Sequence, residues 1–335
     1  MSEEKTLSKK GLILIGVISL IVMIIGIILL VLGYNEAFYS NFTLIQAIFE
    51  AITFLGEAIV LILINAIFYI VYDKRFGKNL TISLMVSAYI NEFVKDIFQD
   101  PRPSHNINPE AEYGLVETSY GFPSGHTQTA FAVWGYIGNE FKDRPKPHIV
   151  PILVSILIFL IAISRLIIGV HDLEDILGGY AIGICILVLF IQLETVITPK
   201  FNKLTLTVQI LLVVVVSITL FLIATLLFPS SGLGLVDNPP LFPDEGIFAV
   251  VGGATLGLGV GYLLENEFVK YEPSELNRKQ KIINLIIGII ILIVSYYGLD
   301  LIISGNVFLR FIRFAIVGFI LVFIAPLIFT KINKK

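Results

Sequence analysis

The chain has 335 residues, of which 56% are hydrophobic and 15% are charged. Its mean hydropathy of +0.90 is typical of a polytopic membrane protein and excludes an ordinary soluble enzyme. The formal net charge of −3 is too small to indicate a nucleic-acid partner, so none is predicted. Cys185 is the only cysteine, which excludes an intrachain disulfide and a cysteine-based metal site.

Apolar runs long enough to cross the hydrocarbon core of a bilayer, about 20 residues each, recur along the whole chain. The sequence therefore predicts an all-α, polytopic integral membrane protein with about ten transmembrane helices. The first run is longer than a signal-peptide apolar region and is expected to be retained. The predicted spans are 11–33, 47–72, 79–98, 125–141, 149–169, 175–197, 205–228, 246–264, 282–303 and 307–330.

Two parts of the chain are predicted to differ in role. Residues 1–198 form a six-span catalytic core, and residues 199–335 form a four-span membrane bundle of unknown role. The eighth span contains a face of small residues, Gly253 to Gly261, which suits close helix packing. Packing, either within the bundle or between two copies in a homodimer, is the preferred interpretation, and a pore is not.

Basic residues predict the orientation of the spans. Most of the 23 lysines and arginines fall in loops that share one side when the N-terminus is cytoplasmic. The opposite loops, 34–46 and 229–246, contain neither, as expected of short external loops. Both termini are therefore predicted to be cytoplasmic. The basic residues that break this pattern lie near external ends of spans: Lys95, Arg102, Arg165, Arg310 and Arg313.

Three polar segments stand out against this apolar background, and the predicted topology brings all three to the external membrane surface. They are Lys95 to Pro103, Gly121-Phe-Pro-Ser-Gly-His126, and Ser164-Arg165 followed by His171 and Asp175. Lys95, Arg102 and Arg165 suit a bound phosphate, because charge-assisted hydrogen bonds to phosphate oxygens are strong and arginine can bind two oxygens at once.

Ser124 lies where the fourth span is expected to begin, so it can cap that helix. The backbone N–H groups of Gly125 and its neighbours then point towards an anion, and glycine at this position leaves room for a substrate oxygen.

His171 and Asp175 are four residues apart, so the carboxylate can reach the imidazole and fix its tautomer. The other ring nitrogen of His171 is then predicted to attack phosphorus and form a phosphohistidine. His126 is predicted to protonate the leaving oxygen and later to deprotonate water. No metal or other cofactor is expected, because the cations neutralise the developing charge.

The three segments match the Lys-x6-Arg-Pro, Pro-Ser-Gly-His and Ser-Arg-x5-His-x3-Asp signatures, and in them the chain resembles the phosphatidic acid phosphatase type 2 superfamily, which also includes vanadium haloperoxidases. The resemblance covers roughly residues 11–198. It implies phosphate binding by Lys95, Arg102, Ser124, Gly125 and Arg165, and catalysis by His126, His171 and Asp175. The chain adds carboxylates at Asp172 and Glu174, expected either to disfavour highly charged substrates or to face water.

Several other polar residues have two interpretations. In one interpretation, Glu57 is a proton relay or a contact to the pocket. In the preferred interpretation, it is a neutral or paired packing residue. Asn91 and Glu92 either position Lys95 or pair on the helix surface. Arg310 and Arg313 either bind a second phosphate or headgroup, or, preferably, pair with Asp300 or extend towards water. One external loop either covers the pocket or, preferably, is simply solvated. It contains His105, Glu110, Glu112 and Glu117.

The predicted protein is therefore a multi-pass phosphatase of the cell membrane, or of the endoplasmic reticulum in a eukaryote, acting at the non-cytoplasmic face. Its substrate is expected to be a lipid phosphate or diphosphate: a polyprenyl diphosphate, phosphatidate, phosphatidylglycerol phosphate or sphingoid phosphate. The alternatives are a lipid phosphotransferase, a phosphatase of a soluble sugar phosphate, a non-enzymatic lipid transporter and an inactive binding module.

Overall fold

The computed structural model describes residues 9–33, 38–103, 118–142 and 149–333. All regular secondary structure in these residues is helical, which confirms the all-α prediction. The α-helices are α1 (Lys9–Val31), α2 (Thr43–Thr53), α3 (Ala58–Ile67), α4 (Lys74–Phe98), α5 (Gly125–Ala130), α6 (Tyr136–Glu140), α7 (Ile149–Ile168), α8 (Leu173–Phe201), α9 (Leu206–Leu227), α10 (Ile247–Leu264), α11 (Arg278–Asp300), α12 (Val307–Phe319) and α13 (Ala325–Asn333).

Six helical segments of the described chain are long and apolar enough to cross a membrane, so the chain is a multi-pass membrane protein. They are α7, α8, α9, α10 with the π-helical turn after it, α11, and α12 joined to α13. The predicted span 47–72 is instead a bent pair, interrupted after Gly56, and counts as a seventh if its two arms form one span. The full number of ten stays a prediction, because the apolar part of α1, Val17–Val31, is short, α4 is strongly charged and the helical stretch 125–140 is short.

The chain divides into two compact units. The first takes in the described residues of Met1–Val60 and Phe93–Pro199, and the second those of Leu61–Glu92 and Lys200–Lys335. The predicted boundary after residue 198 lies beside the change of unit at Pro199, but Leu61–Glu92 belongs with the C-terminal helices. The division into a catalytic core and an accessory bundle stays a prediction.

In the first unit, glycines of α8 permit very close contact with the segment that begins α5. A Cβ built on Gly179 would lie 2.7 Å from the backbone oxygen of Ser124, and one on Gly183 would lie 2.8 Å from that of Gln128. Ala130, at the end of α5, packs against Ile158 and Ile161 of α7. These contacts hold the residues on either side of His126 between two long helices.

In the second unit, the small-residue face of α10 packs against α12, which agrees with packing inside the bundle. A Cβ on Gly253 or Gly257 would overlap the backbone oxygen of Phe311 or Ala315, respectively. Residues of Leu61–Glu92 join this unit through polar contacts. Lys74 Nζ lies 2.9 Å from Glu265 Oε2, and the hydroxyl of Tyr271 donates a hydrogen bond to the Ile70 carbonyl at 2.7 Å. The predicted homodimer stays a prediction.

Gly257→Ala is expected to lower the thermal unfolding midpoint in detergent, because two helix backbones would have to separate; overpacking of this kind typically costs about 1–3 kcal/mol. Gly298→Ala in α11 is the matched control, since nothing in the described chain lies within 4 Å of a Cβ there. Alanine should leave that midpoint unchanged or raise it. Equal stability of the two variants would contradict the packing described for α10 and α12.

Candidate active site

His171 lies in the short connection between α7 and α8, with Asp175 in the first turn of α8. Both side chains are buried, and Nδ1 of His171 lies 2.6 Å from Oδ2 of Asp175. The backbone N–H of Ser124 donates to the Asp175 carbonyl at 2.9 Å, which ties the helix start at Ser124 to this pair. The four-residue spacing in the sequence thus corresponds to a direct hydrogen bond.

The opposite nitrogen of His171 faces Arg102. The distance from Arg102 Nη1 to His171 Nε2 is 3.1 Å. A guanidinium group has only donors, so Nε2 must be the acceptor and Nδ1 must carry the proton donated to Asp175. The neighbours of the ring therefore select the tautomer whose lone pair lies on Nε2.

Arg102 is itself fixed by backbone oxygens. Its Nη1 donates to the Val170 carbonyl at 2.9 Å, and its Nε donates to the Ser119 carbonyl at 2.8 Å. Lys95, at the end of α4, donates to the carbonyl oxygens of Tyr120 and, at 3.2 Å, Gly121. Both cations are thus held by the segment that leads into Ser124.

Arg165 is fully buried at the end of α7, where its Nη1 donates to Thr53 Oγ1 at 3.0 Å. Burial, together with the positive charges of Arg102, Arg165 and Lys95, holds the pKa of His171 well below its usual value of 6.5. All three cations are therefore close enough to act on one imidazole, which stays neutral and retains the lone pair on Nε2.

Ser124 caps the helix that begins at Gly125, as the sequence predicted. Its Oγ accepts hydrogen bonds from the backbone N–H of Thr127 at 3.4 Å and from the Thr127 hydroxyl at 3.1 Å. His126 follows on the first turn and remains partly exposed, and its Nε2 lies 3.1 Å from Glu57 Oε1. Glu57 thus contacts a predicted catalytic residue, as in the interpretation that it reaches the pocket, and it is paired, as the preferred interpretation also allowed.

A group of buried carboxylates surrounds the His171–Asp175 pair. Asp172 and Glu174 are fully buried, so the expectation that they face water is wrong. Asp172 Oδ1 accepts a hydrogen bond from the backbone N–H of Asp175 at 3.3 Å. Burial, followed by the nearby charges of Asp175 and Glu174, raises the pKa of Asp172 to about 10, so this carboxyl is protonated near neutral pH.

Asp100 completes this group. Its pKa is raised to about 6 by burial, although the charges of Lys95 and Arg102 oppose the shift. Asp100, Asp172 and Asp175 each place one oxygen within 4.8 Å of the other two, a spacing that cation ligands can have. Two of these carboxylates already have other partners, since Asp172 holds a proton and Asp175 accepts a hydrogen bond from His171.

The remaining predicted residues have other surroundings. Glu92 accepts a hydrogen bond from Ser231 at 3.1 Å, and the role of Asn91 stays a prediction. Arg313 forms ion pairs with Asp300 and, at 3.2 Å, with Asp244, which agrees with the preferred pairing. Arg310 donates to the Asp244 backbone oxygen. Outside the described residues lie His105, Glu110, Glu112 and Glu117.

The site thus combines a histidine held between a carboxylate and an arginine with two further buried cations, Lys95 and Arg165, an arrangement that suits an anionic ligand. Residues 76–199 match the model of the PAP2 superfamily, and residues 249–335 match that of the PAP2 superfamily phosphatase, transmembrane extension. Together these models match more than half of the chain, and the chain belongs to the PAP2 superfamily. The second match accounts for C-terminal spans that the sequence motifs left unexplained.

Curated relatives agree with this assignment. The chain is 30% identical to lipid phosphate phosphatase delta of Arabidopsis thaliana over 38% of this chain and 34% of that protein. It is 33% identical to human sphingosine-1-phosphate phosphatase 2 over 35% of this chain and 30% of that protein. It is 27% identical to undecaprenyl-diphosphatase of Sulfolobus acidocaldarius over 49% of this chain and 80% of that protein. The chain therefore matches about a third of the length of the first two relatives.

Asp175→Asn is expected to reduce turnover strongly, and Asp172→Asn is expected to leave it nearly unchanged. Asparagine at 175 removes the charge that orients His171, and by analogy with triad carboxylates kcat should fall on the order of 10³- to 10⁴-fold. Asparagine at 172 resembles the protonated carboxyl already present, so turnover at neutral pH should change little. Phosphate release by both purified variants measures the difference.

The unfolding midpoint over a range of pH provides a second readout for Asp172. A raised pKa gives stability that is fully present below the unfolded value of 3.8 and is lost as the pH rises through about 10. The midpoint of the wild type should therefore decline more steeply towards alkaline pH than that of Asp172→Asn. Parallel declines, or a large loss of turnover in Asp172→Asn, would show that Asp172 is ionised.

Proposed function

We propose that the protein is a membrane phosphatase that hydrolyses a lipid phosphate or diphosphate through a phosphohistidine on His171. The observation that carries this proposal is the placement of the His171 ring, with Nδ1 bonded to Asp175 and the Nε2 lone pair facing Arg102. A neutral imidazole with a fixed tautomer is a competent nucleophile. Arginine beside its attacking nitrogen suits an anionic substrate.

In the first step, Nε2 of His171 attacks phosphorus while the bond to the leaving oxygen breaks. The ring becomes positively charged, and the Asp175 carboxylate stabilises that charge. Arg102, Arg165 and Lys95 neutralise charge on the phosphoryl oxygens, with Ser124 and Gly125 at the adjoining helix start. His126 donates a proton to the leaving oxygen.

In the second step, water attacks phosphorus and the bond from phosphorus to His171 breaks. His126, now neutral, accepts a proton from that water, and inorganic phosphate leaves. The two steps return both histidines to their starting forms. The same intermediate would phosphorylate an alcohol if one replaced the water, so the acceptor distinguishes a phosphatase from a phosphotransferase.

Three observations support a lipid substrate at the external face. The chain is apolar over most of its length, so a substrate with its tail in the bilayer can reach a site near the membrane surface. The relatives are named for lipid phosphates and an undecaprenyl diphosphate. The loops without lysine or arginine support the external placement through the positive-inside rule.

Phosphate release by purified protein in detergent tests this proposal directly. The substrate panel is phosphatidate, sphingosine 1-phosphate, phosphatidylglycerol phosphate, a polyprenyl diphosphate and glucose 6-phosphate, each with and without EDTA. We expect release from at least one lipid by the wild type, unaffected by EDTA, and no release by His171→Ala.

Other results would identify the alternatives. Release from glucose 6-phosphate alone would replace the lipid with a soluble substrate, and phosphate transfer to added glycerol without free phosphate would indicate a phosphotransferase. Loss of activity in EDTA that returns with a divalent cation would assign a metal to the Asp100, Asp172 and Asp175 group. Equal release by His171→Ala would contradict the proposed mechanism.

A further inference from the structure

Glu57 lies at the interruption between α2 and α3, at the end of a short 3-10 turn, Phe54–Gly56. Its backbone is extended, with φ −67° and ψ 143°, and its N–H donates to the Phe54 carbonyl at 3.1 Å. The helix is therefore broken where the carboxylate meets His126, with 3.1 Å between Glu57 Oε1 and His126 Nε2. A carboxylate in an otherwise apolar helical run is costly unless it has a partner of this kind.

The backbone beside Glu57 is fitted to the same histidine. A Cβ built on Gly56 would lie 2.9 Å from Cδ2 of His126 and 3.1 Å from Cγ2 of Ile161, so only glycine leaves the ring its present position. This close approach is independent of the hydrogen bond that Glu57 accepts from His126. Together they show that the segment 53–57 shapes the surroundings of His126.

The segment 53–57 is held by two other contacts within the first unit. Thr53 Oγ1 accepts from Arg165 Nη1 at 3.0 Å, and the Leu55 carbonyl accepts from the indole N–H of Trp134 at 3.2 Å. The same few residues thus contact a predicted phosphate ligand and the predicted general acid. These two contacts fix the backbone turn that carries Glu57.

We propose that Glu57 is a positioning residue that orients His126 and stabilises its protonated form; this rests on the proposed function. An ionised carboxylate only accepts hydrogen bonds, so Nε2 of His126 carries the proton in their contact. The negative charge at 3.1 Å favours the imidazolium, whose second proton lies on Nδ1. The arrangement mirrors that of Asp175 and His171, with the roles of the two ring nitrogens exchanged.

Glu57 acts on proton transfer in both steps. In the first, the Nδ1 proton of His126 passes to the leaving oxygen as its bond to phosphorus breaks, which leaves a neutral ring with Nε2–H on Glu57. In the second, a water proton passes to Nδ1 as the water oxygen bonds to phosphorus and the bond to His171 breaks. No oxidant, metal or further reactant is needed.

The leaving group distinguishes this role from a structural one. An alkyl alkoxide, as in a lipid phosphate, requires a proton to leave, whereas p-nitrophenolate leaves without one. In single turnovers with enzyme in excess, Glu57→Gln should slow release of diacylglycerol from phosphatidate by at least about tenfold, since general acids typically contribute 10²- to 10⁴-fold. Release of p-nitrophenol from p-nitrophenyl phosphate should change little, as should the enzyme concentration that gives half the maximal single-turnover rate with either substrate.

Two controls isolate the contact with His126. Glu50→Gln removes a carboxylate from the partly exposed surface of α2 and should leave both rates unchanged. In a His126→Ala background, Glu57→Gln should cause no additional loss on phosphatidate, because residues that act as a unit are not additive.

The outcomes separate this inference from the proposed function. Equal losses on the two substrates, an additional loss in the His126→Ala background, or no loss on phosphatidate would overturn the role of Glu57 while the wild type remained a phosphatase. Absence of turnover by the wild type on every lipid of the panel would overturn the proposed function itself, and the role of Glu57 with it. If the lipid hydrolysed is not phosphatidate, the same comparison is made with that lipid.

Discussion

The proposed chemistry depends on the line of contacts from Asp175 through the His171 ring to Arg102. The distances, 2.6 Å on one side and 3.1 Å on the other, leave one tautomer that satisfies both neighbours. Contacts with the local backbone maintain this line. The Ser124 N–H donates a hydrogen bond to the Asp175 carbonyl, and the Val170 carbonyl accepts one from Arg102. Any change that turns the ring removes the lone pair from the position where phosphorus would be attacked.

Charge balance explains how so many ionisable groups are buried together. Lys95, Arg102 and Arg165 are all less than 4% exposed, and carboxylates lie among them. Burying unpaired charges costs several kcal/mol per ion, so the cluster relies on pairing and on neutralised groups. A protonated Asp172 and a neutral His171 reduce the number of charges. A bound phosphate would add negative charge where the cations are concentrated.

The sequence predicted the local parts of this site well, because their chemistry lies in short motifs. The cap at Ser124 and the four-residue spacing from His171 to Asp175 specify contacts that backbone geometry alone can produce. The interruption after Gly56 was not predicted, since residues 47–72 form one apolar run, and hydropathy does not register a helix break. Glu57 carried a signal, a carboxylate well inside that run, but its partner is 69 residues away.

Organisation over longer distances was less accessible. Hydropathy gave the apolar segments, but it could not show that Leu61–Glu92 belongs with the C-terminal helices, because this depends on contacts such as Lys74 with Glu265. Hydropathy is a poor guide to the number of spans for a related reason. Charged residues such as Glu92, Lys95 and Asp96 lower the hydropathy of α4, so a span there stays a prediction.

Identification of the phosphorylated residue tests the central claim most directly. In His126→Ala, p-nitrophenyl phosphate can still transfer its phosphoryl group, while hydrolysis of the intermediate lacks its base. Quenching at alkaline pH, which preserves phosphohistidine, followed by digestion and mass spectrometry should then place one phosphoryl group on His171 and none in a His126→Ala, His171→Ala double variant. A phosphoryl group on another residue, or continued phosphate release by the double variant, would contradict the account.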